Sequence, residues 1–233
     1  MDMSSDAVIQ RTLGKIGVTV VFALFLLLLT TGAIFKPLVT AILARGPHYT
    51  SYFEFMFVGL APLILVIFFR ENLSMYGVGK KGIIRSLTLG LSLALIYRLI
   101  SPLLSHTGVV LVYRSFDLAF PLNLYYALLG IFAYGPLEAF FVVYLMVNVD
   151  ILVSVMTGKR SPNTFLAGAI LVPVFFGLFH IVTTGNVSNA VQVALFSCGY
   201  GLIYRYTGNS IGPMSAWTLA NGWVQFLLVG CFT

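Results

Sequence analysis

Charged residues are crowded into short stretches of this chain, and between them lie seven runs of almost wholly apolar side chains. The runs are 16–35, 50–69, 86–104, 122–149, 164–182, 187–204 and 211–232. Most are close to the length at which a helix rising 1.5 Å per residue crosses roughly 30 Å of hydrocarbon. Periodicity inside them is weak, as it is when lipid and protein neighbours are both apolar. The pattern predicts an all-α, polytopic membrane helical bundle of about seven transmembrane helices. Loops too short for a soluble domain make residues 1–233 a single membrane domain, with three N-terminal helices in 1–121 and a C-terminal core in 122–233. The first run follows a polar leader and is longer than a secretory signal core, so it is expected to stay as a span. No repeat of fixed period is visible, which weighs against the repeat-built transporter folds.

Composition agrees: 59% of the 233 residues are hydrophobic and only 9% charged, against roughly a quarter charged in a soluble domain. Membrane lipids are therefore the first expected partners. A formal charge of +6 raises the question of nucleic acid. The basic residues sit in short loops, however, and there they read as a topology signal rather than a nucleic-acid surface. Arg11, Lys15, Arg70, Lys80, Lys81, Arg85, Lys159, Arg160 and Arg205 fall on one side. Only Lys36, Arg45 and Arg114 fall on the other. The positive-inside rule then places the N-terminus in the cytoplasm and, with seven spans, the C-terminus outside. Cys198 and Cys231 both lie in apolar runs and form neither a disulfide framework nor a metal-ligand spacing. Neither a metal nor a cofactor is expected.

Ionisable groups within spans are costly and each needs a reason. Glu54 lies one turn inside the second run and is read as reaching the interface. Arg98 is read as structural, snorkelling or pairing with a carboxylate. Glu138 lies deep in the fourth run, just after Pro136, which frees a backbone carbonyl and loosens the local turn. It suits a proton acceptor and an interhelical hydrogen bond equally well. His180 closes Phe175-Phe-Gly-Leu-Phe-His180; a lone histidine on an apolar helix is more often a packed core residue than a catalyst. In the last run Pro213, Trp217, Asn221 and Gln225 recur every fourth residue as one stripe. Its amides can bond neighbouring helices or donate to an oxyanion.

Taken in order, these segments resemble the CPBP membrane family, which includes the CAAX prenyl-protein endopeptidases. Pro136-Leu-Glu138 resembles the first family motif and Phe176-Gly-Leu-Phe-His180 the second. Thr207-Gly-Asn-Ser-Ile-Gly-Pro213 leads into the third, with Tyr200-Gly-Leu-Ile-Tyr204 before it and Met75-Tyr-Gly-Val-Gly-Lys80 earlier in the chain. The resemblance covers about residues 70–225 and implies a four-helix core enclosing a polar cavity. It implies Glu138 as general base, His180 as its partner and Asn221 as an oxyanion donor, with Tyr134, Phe176, Trp217 and Gln225 lining the cavity. Three positions depart from the pattern. Ala139 stands where the family has a second Glu, Val143 where it has Arg, and Trp217 where it has a second His.

The spans as drawn leave Glu138 and Asn221 both ~15 Å from the inner ends of their helices, and His180 roughly 8 to 9 Å farther in. A fifth helix starting near Gly168 would remove the mismatch. Three functions follow. The departures favour a non-catalytic or weakly active member that binds a membrane protein partner or lipidated peptide in the cavity. The alternatives are an intramembrane endopeptidase in which Glu138 and His180 activate water, and a small transporter or proton relay built on the same two residues.

The topology is tested by single-cysteine labelling in a background without Cys198 and Cys231. A membrane-impermeant reagent added outside should modify Ser188→Cys and spare Lys80→Cys. Labelling at position 80 from outside would reverse the orientation.

Overall fold

The computed structural model describes residues 5–31, 33–34, 36–45, 50–104, 128–158 and 162–221. Helix α1 spans Ser5–Thr30 and α2 Lys36–Arg45. Helix α3 (50–68) contains a π-helical stretch, Phe55–Leu60, between Thr50–Glu54 and Ala61–Phe68. A 3-10 turn, Leu73–Tyr76, precedes α4, Ile83–Leu104. Helix α5 (Leu128–Thr157) has its own π-helical stretch, Ala133–Leu137. Helices α6 (Pro162–Thr184), α7 (Val187–Thr207) and α8 (Ile211–Ala220) follow. No strand occurs among the described residues.

Among the described residues five helices, α1, α4, α5, α6 and α7, are long and apolar enough to cross a membrane, and the apolar part of α3, Tyr52–Phe68, is shorter. Most of the seventh run beyond Asn221, Gln225 included, lies outside the described residues, as do the start of the fourth run and Lys159, Arg160 and Arg114. Large apolar side chains face outward: Ile67, Phe68, Ile84 and Leu195 are all exposed. Water would reject such a surface and hydrocarbon accepts it. The chain is an integral, all-α membrane protein.

Two helices outrun their apolar segments by about two turns or more, and each overrun carries polar contacts. Helix α1 begins at Ser5 rather than near Ile16, and its extra turns carry Arg11 and Lys15 to Glu71. Helix α5 continues past Val149 to Thr157 and stops at Gly158, whose positive φ of 62° a glycine adopts freely. Asn148 donates to the Tyr144 carbonyl, and Asp150 pairs with Arg205 and accepts the Gly168 N–H. Helix α2, within a stretch read as loop, was not anticipated.

The basic end of the bundle is tied by an interlock between two phrases far apart in sequence. Asn209 donates its amide to the carbonyls of Gly79 (2.6 Å) and Lys81 (3.0 Å). Its own side-chain oxygen accepts from the N–H of Ile211, the first residue of α8. Ser86 donates to Asn209 O and accepts from Gly212 N–H, while Ser210 N–H donates to Gly77 O. Helices α4 and α8 meet so closely here that a Cβ on Gly212 would overlap the Ser86 carbonyl. Beside this interlock Glu71 accepts from Arg11, Lys15 (2.9 Å each) and Tyr76 (2.5 Å), with Lys15 only 2% exposed. Tyr76 stacks on Tyr144 of α5 with ring centroids 4.9 Å apart.

Burial alone would push the Glu71 carboxyl up. The hydrogen bonds from Tyr76 and Lys15 and the charges of Lys15 and Arg11 outweigh it and hold the group below its ordinary value. A carboxyl lowered on folding contributes stability above its unfolded pKa, and that contribution disappears as pH falls through the folded value. Glu71→Gln should therefore cost roughly 3 kcal/mol near neutral pH, because it strands the buried Lys15. It should also remove part of the wild type's acid-side loss of thermal stability in detergent. An unchanged acid limb in the variant would contradict this.

Candidate functional site

The two π-helical stretches face each other, and each borders a carboxylate. Glu54 immediately precedes Phe55–Leu60 and Glu138 immediately follows Ala133–Leu137. Gly59 packs against the Leu137 side chain, where a Cβ would stand 2.9 Å from it. Extra residues in a helical turn widen it and re-aim the side chains beyond. In α5 the distortion centres on Gly135, whose φ of −111° and ψ of −105° break the helix just before Pro136. The missing side chain at Gly135 also admits Thr218 of α8. The kink thus sets Glu138 against α8.

Glu138 is 2% exposed and its two oxygens have different surroundings. Oε2 accepts from the Trp217 indole N–H at 2.7 Å and from the Asn221 amide at 2.8 Å. Asn221 also donates to the Tyr134 carbonyl at 3.3 Å. Oε1 faces His180, whose Nε2 is 4.0 Å away. His180 Nδ1 is 3.0 Å from the Phe176 carbonyl, an acceptor, so in the neutral ring Nδ1 carries the hydrogen. The Nε2 lone pair is thereby turned toward Glu138. Phe176, one turn back, packs edge-on to both His180 and Trp217.

These groups line one cavity of about 580 Å³. Glu138, His180, Asn221, Tyr134, Phe176 and Trp217 are all brought to it, while Gln225 lies outside the described residues. The depth mismatch between Glu138 and His180 is resolved differently from the expectation. Helix α6 starts at Pro162, not near Gly168; it is α5 that is longer, reaching Thr157. Counted from those ends, the two residues lie at nearly equal depth.

The cavity is not confined to the C-terminal core. Leu26 and Thr30 of α1, Glu54 and Val58 of α3, and Tyr97 of α4 form part of its wall. Glu54 therefore faces the cavity, which corrects the expectation of an interfacial residue. An acidic side chain in an otherwise uncharged span was the available signal. Arg98, one residue from Tyr97, is turned to the end of α8, where it donates twice to the Leu219 carbonyl (3.1 and 2.7 Å). Thr30, Thr31, Thr183, Thr184 and Asn189 extend the lining to the far ends of α1 and α6 and the start of α7, opposite the Glu71 cluster. No group of three or more metal-ligating side chains occurs among the described residues.

Residues 119–223 match the family model described as Type II CAAX prenyl endopeptidase Rce1-like. The match is a little under half of the chain and runs through α5 to the described end of α8. It shows the CPBP-type family resemblance over the segment that carries Glu138, His180 and Asn221. No curated protein and no solved structure matches the chain.

The geometry makes Trp217 a donor to a buried carboxylate as well as a packing residue. Trp217→Phe keeps the ring and removes the N–H, and should cost roughly 1.5 to 3 kcal/mol, the worth of a hydrogen bond to a charged group. In a Glu138→Leu background the same substitution should cost far less. Equal costs in both backgrounds, from chemical unfolding in detergent, would show that the indole acts by packing alone.

Proposed function

We propose that this membrane protein, Rce1-like over residues 119–223, uses its cavity to bind a membrane partner or lipidated peptide without cleaving it at the rate of an intact family member. One observation carries the proposal: the two N–H donors at the third-motif positions, Trp217 and Asn221, are both spent on Glu138 Oε2. An oxyanion needs donors aimed at the developing charge, and these are aimed at a carboxylate. Ala139 and Val143 add to this. Both are fully buried in an apolar cluster, so the positions where the family places a second Glu and an Arg hold no charge.

Intramembrane proteolysis is the second reading, and one observation favours it. At 4.0 Å, Glu138 Oε1 and His180 Nε2 are too far apart for a direct hydrogen bond. They are close enough for one water to donate a proton to each. Such a water would pass one proton to Glu138 as its oxygen attacked a peptide carbonyl.

Orientation forms part of the proposal. The Arg11–Lys15–Glu71 cluster, Arg85 over the Tyr206 ring and the Arg205–Asp150 pair lie at one end of the bundle. With that end cytoplasmic, the N-terminus is inside, and the threonine-lined end of the cavity faces away from the cytoplasm.

A cleavage assay on prenylated CAAX peptides decides between the two. The purified protein should turn over at least ~10²-fold more slowly than an intact family member, the usual cost of one lost oxyanion donor. Turnover near that of an intact member, abolished by both Glu138→Gln and His180→Ala in folded protein, would establish the protease instead.

A further inference from the structure

We infer that the cavity takes a cation: the ammonium head of a small amphiphile, seated between Glu54 and Glu138 with its apolar stem along the aromatic wall. This names the ligand class for the binding role proposed above and rests on it. The charge inventory is one-sided. Glu54 and Glu138 both line the cavity, whereas neither Lys nor Arg lines it among the described residues. Arg98, the nearest basic residue in sequence to the lining, is engaged with the Leu219 carbonyl.

Both carboxylates have capacity to spare. Glu138 is 2% exposed, yet among the described residues no hydrogen bond reaches its Oε1, with the His180 ring nitrogen 4.0 Å away. Among the described residues no hydrogen bond or ion pair reaches the Glu54 carboxyl. Two acidic groups lining one apolar cavity are costly, and one cation held there relieves both. The wall suits that cation too, since Tyr97, Phe179, Phe176 and Trp217 all line it, and aromatic rings attract ammonium groups. A volume of about 580 Å³ is that of a small-molecule site rather than a groove for a folded segment.

The test uses the full chain in phosphatidylcholine nanodiscs with Trp223→Phe, leaving Trp217 as the sole tryptophan. Its fluorescence is titrated with dodecyltrimethylammonium, dodecanol and dodecanoate, with partitioning into empty nanodiscs subtracted. The ammonium compound should act at about tenfold lower concentration than the alcohol, the worth of one charge-assisted contact, and dodecanoate should be weakest. Glu54→Gln should remove most of the ammonium preference and leave the dodecanol response unmoved. If that variant does not fold, the head-group series on the unsubstituted cavity decides alone. Equal responses to all three, or a stronger one to dodecanoate, would overturn the cation while leaving the binding role intact. A response only to a transmembrane peptide bearing a single lysine would overturn the small amphiphile. Silence towards all three would overturn the amphiphile site as well.

Discussion

A carboxylate buried among apolar helices must find donors within the protein, and meeting that need for Glu138 organises the bundle. Leaving the group unpaired in such surroundings would cost several kcal/mol, as for any charge removed from water without compensation. Trp217 and Asn221 meet the need from α8, which can come that close only because Gly135 breaks α5 and offers no side chain to Thr218. Helix α8 is held at that height by its other end. There Asn209 accepts from its first N–H and clamps the segment before α4, and Gly212 lies against Ser86. The interlock at the basic end and the donor pair in the cavity thus fix one helix from two ends.

Much of this was legible in the sequence, and what was missed has physical reasons. Seven apolar runs separated by short basic loops were enough for a polytopic helical bundle, because length and hydropathy are what a bilayer selects. The ends of helices were not, because they depend on partners. Nothing near Arg11 or Lys15 announces Glu71, some 60 residues away, and nothing local to Asp150 announces Arg205. The same limit applies to depth. Counting from the apolar boundary misplaced His180 relative to Glu138 until α5 was seen to run on to Thr157.

Six of the seven cavity residues named from sequence meet in space, and they were found because the motifs carry side chains that are costly in apolar surroundings. Glu54 carries the same cost, but it lies in a helix outside the matched segment. Its place on the cavity wall lies beside a π-helical stretch that no residue pattern marks. Helix type at the scale of one extra residue is a tertiary outcome. Here the close fit of Gly59 on Leu137 goes with it.

The three departures from the family pattern make physical sense together. Ala139 and Val143 are one helical turn apart on α5, and both are 0% exposed. A Glu and an Arg at such positions would answer one another's charge, and removing only one would strand the other in the core. Removing both is often neutral or stabilising, because well-packed apolar groups avoid the desolvation that a buried ion pair must overcome. Trp217 completes the exchange. It fills space between Phe176, Phe196 and Tyr200 with ring centroids 5.4 to 6.1 Å away. Its single N–H goes to the one carboxylate left in the motif. An indole can donate but cannot accept or carry a proton, so Glu138 is held in place by a group unable to exchange protons with it. Of the groups able to exchange protons, Glu138 and His180 remain, and Trp217 and Asn221 hold the first of them in place.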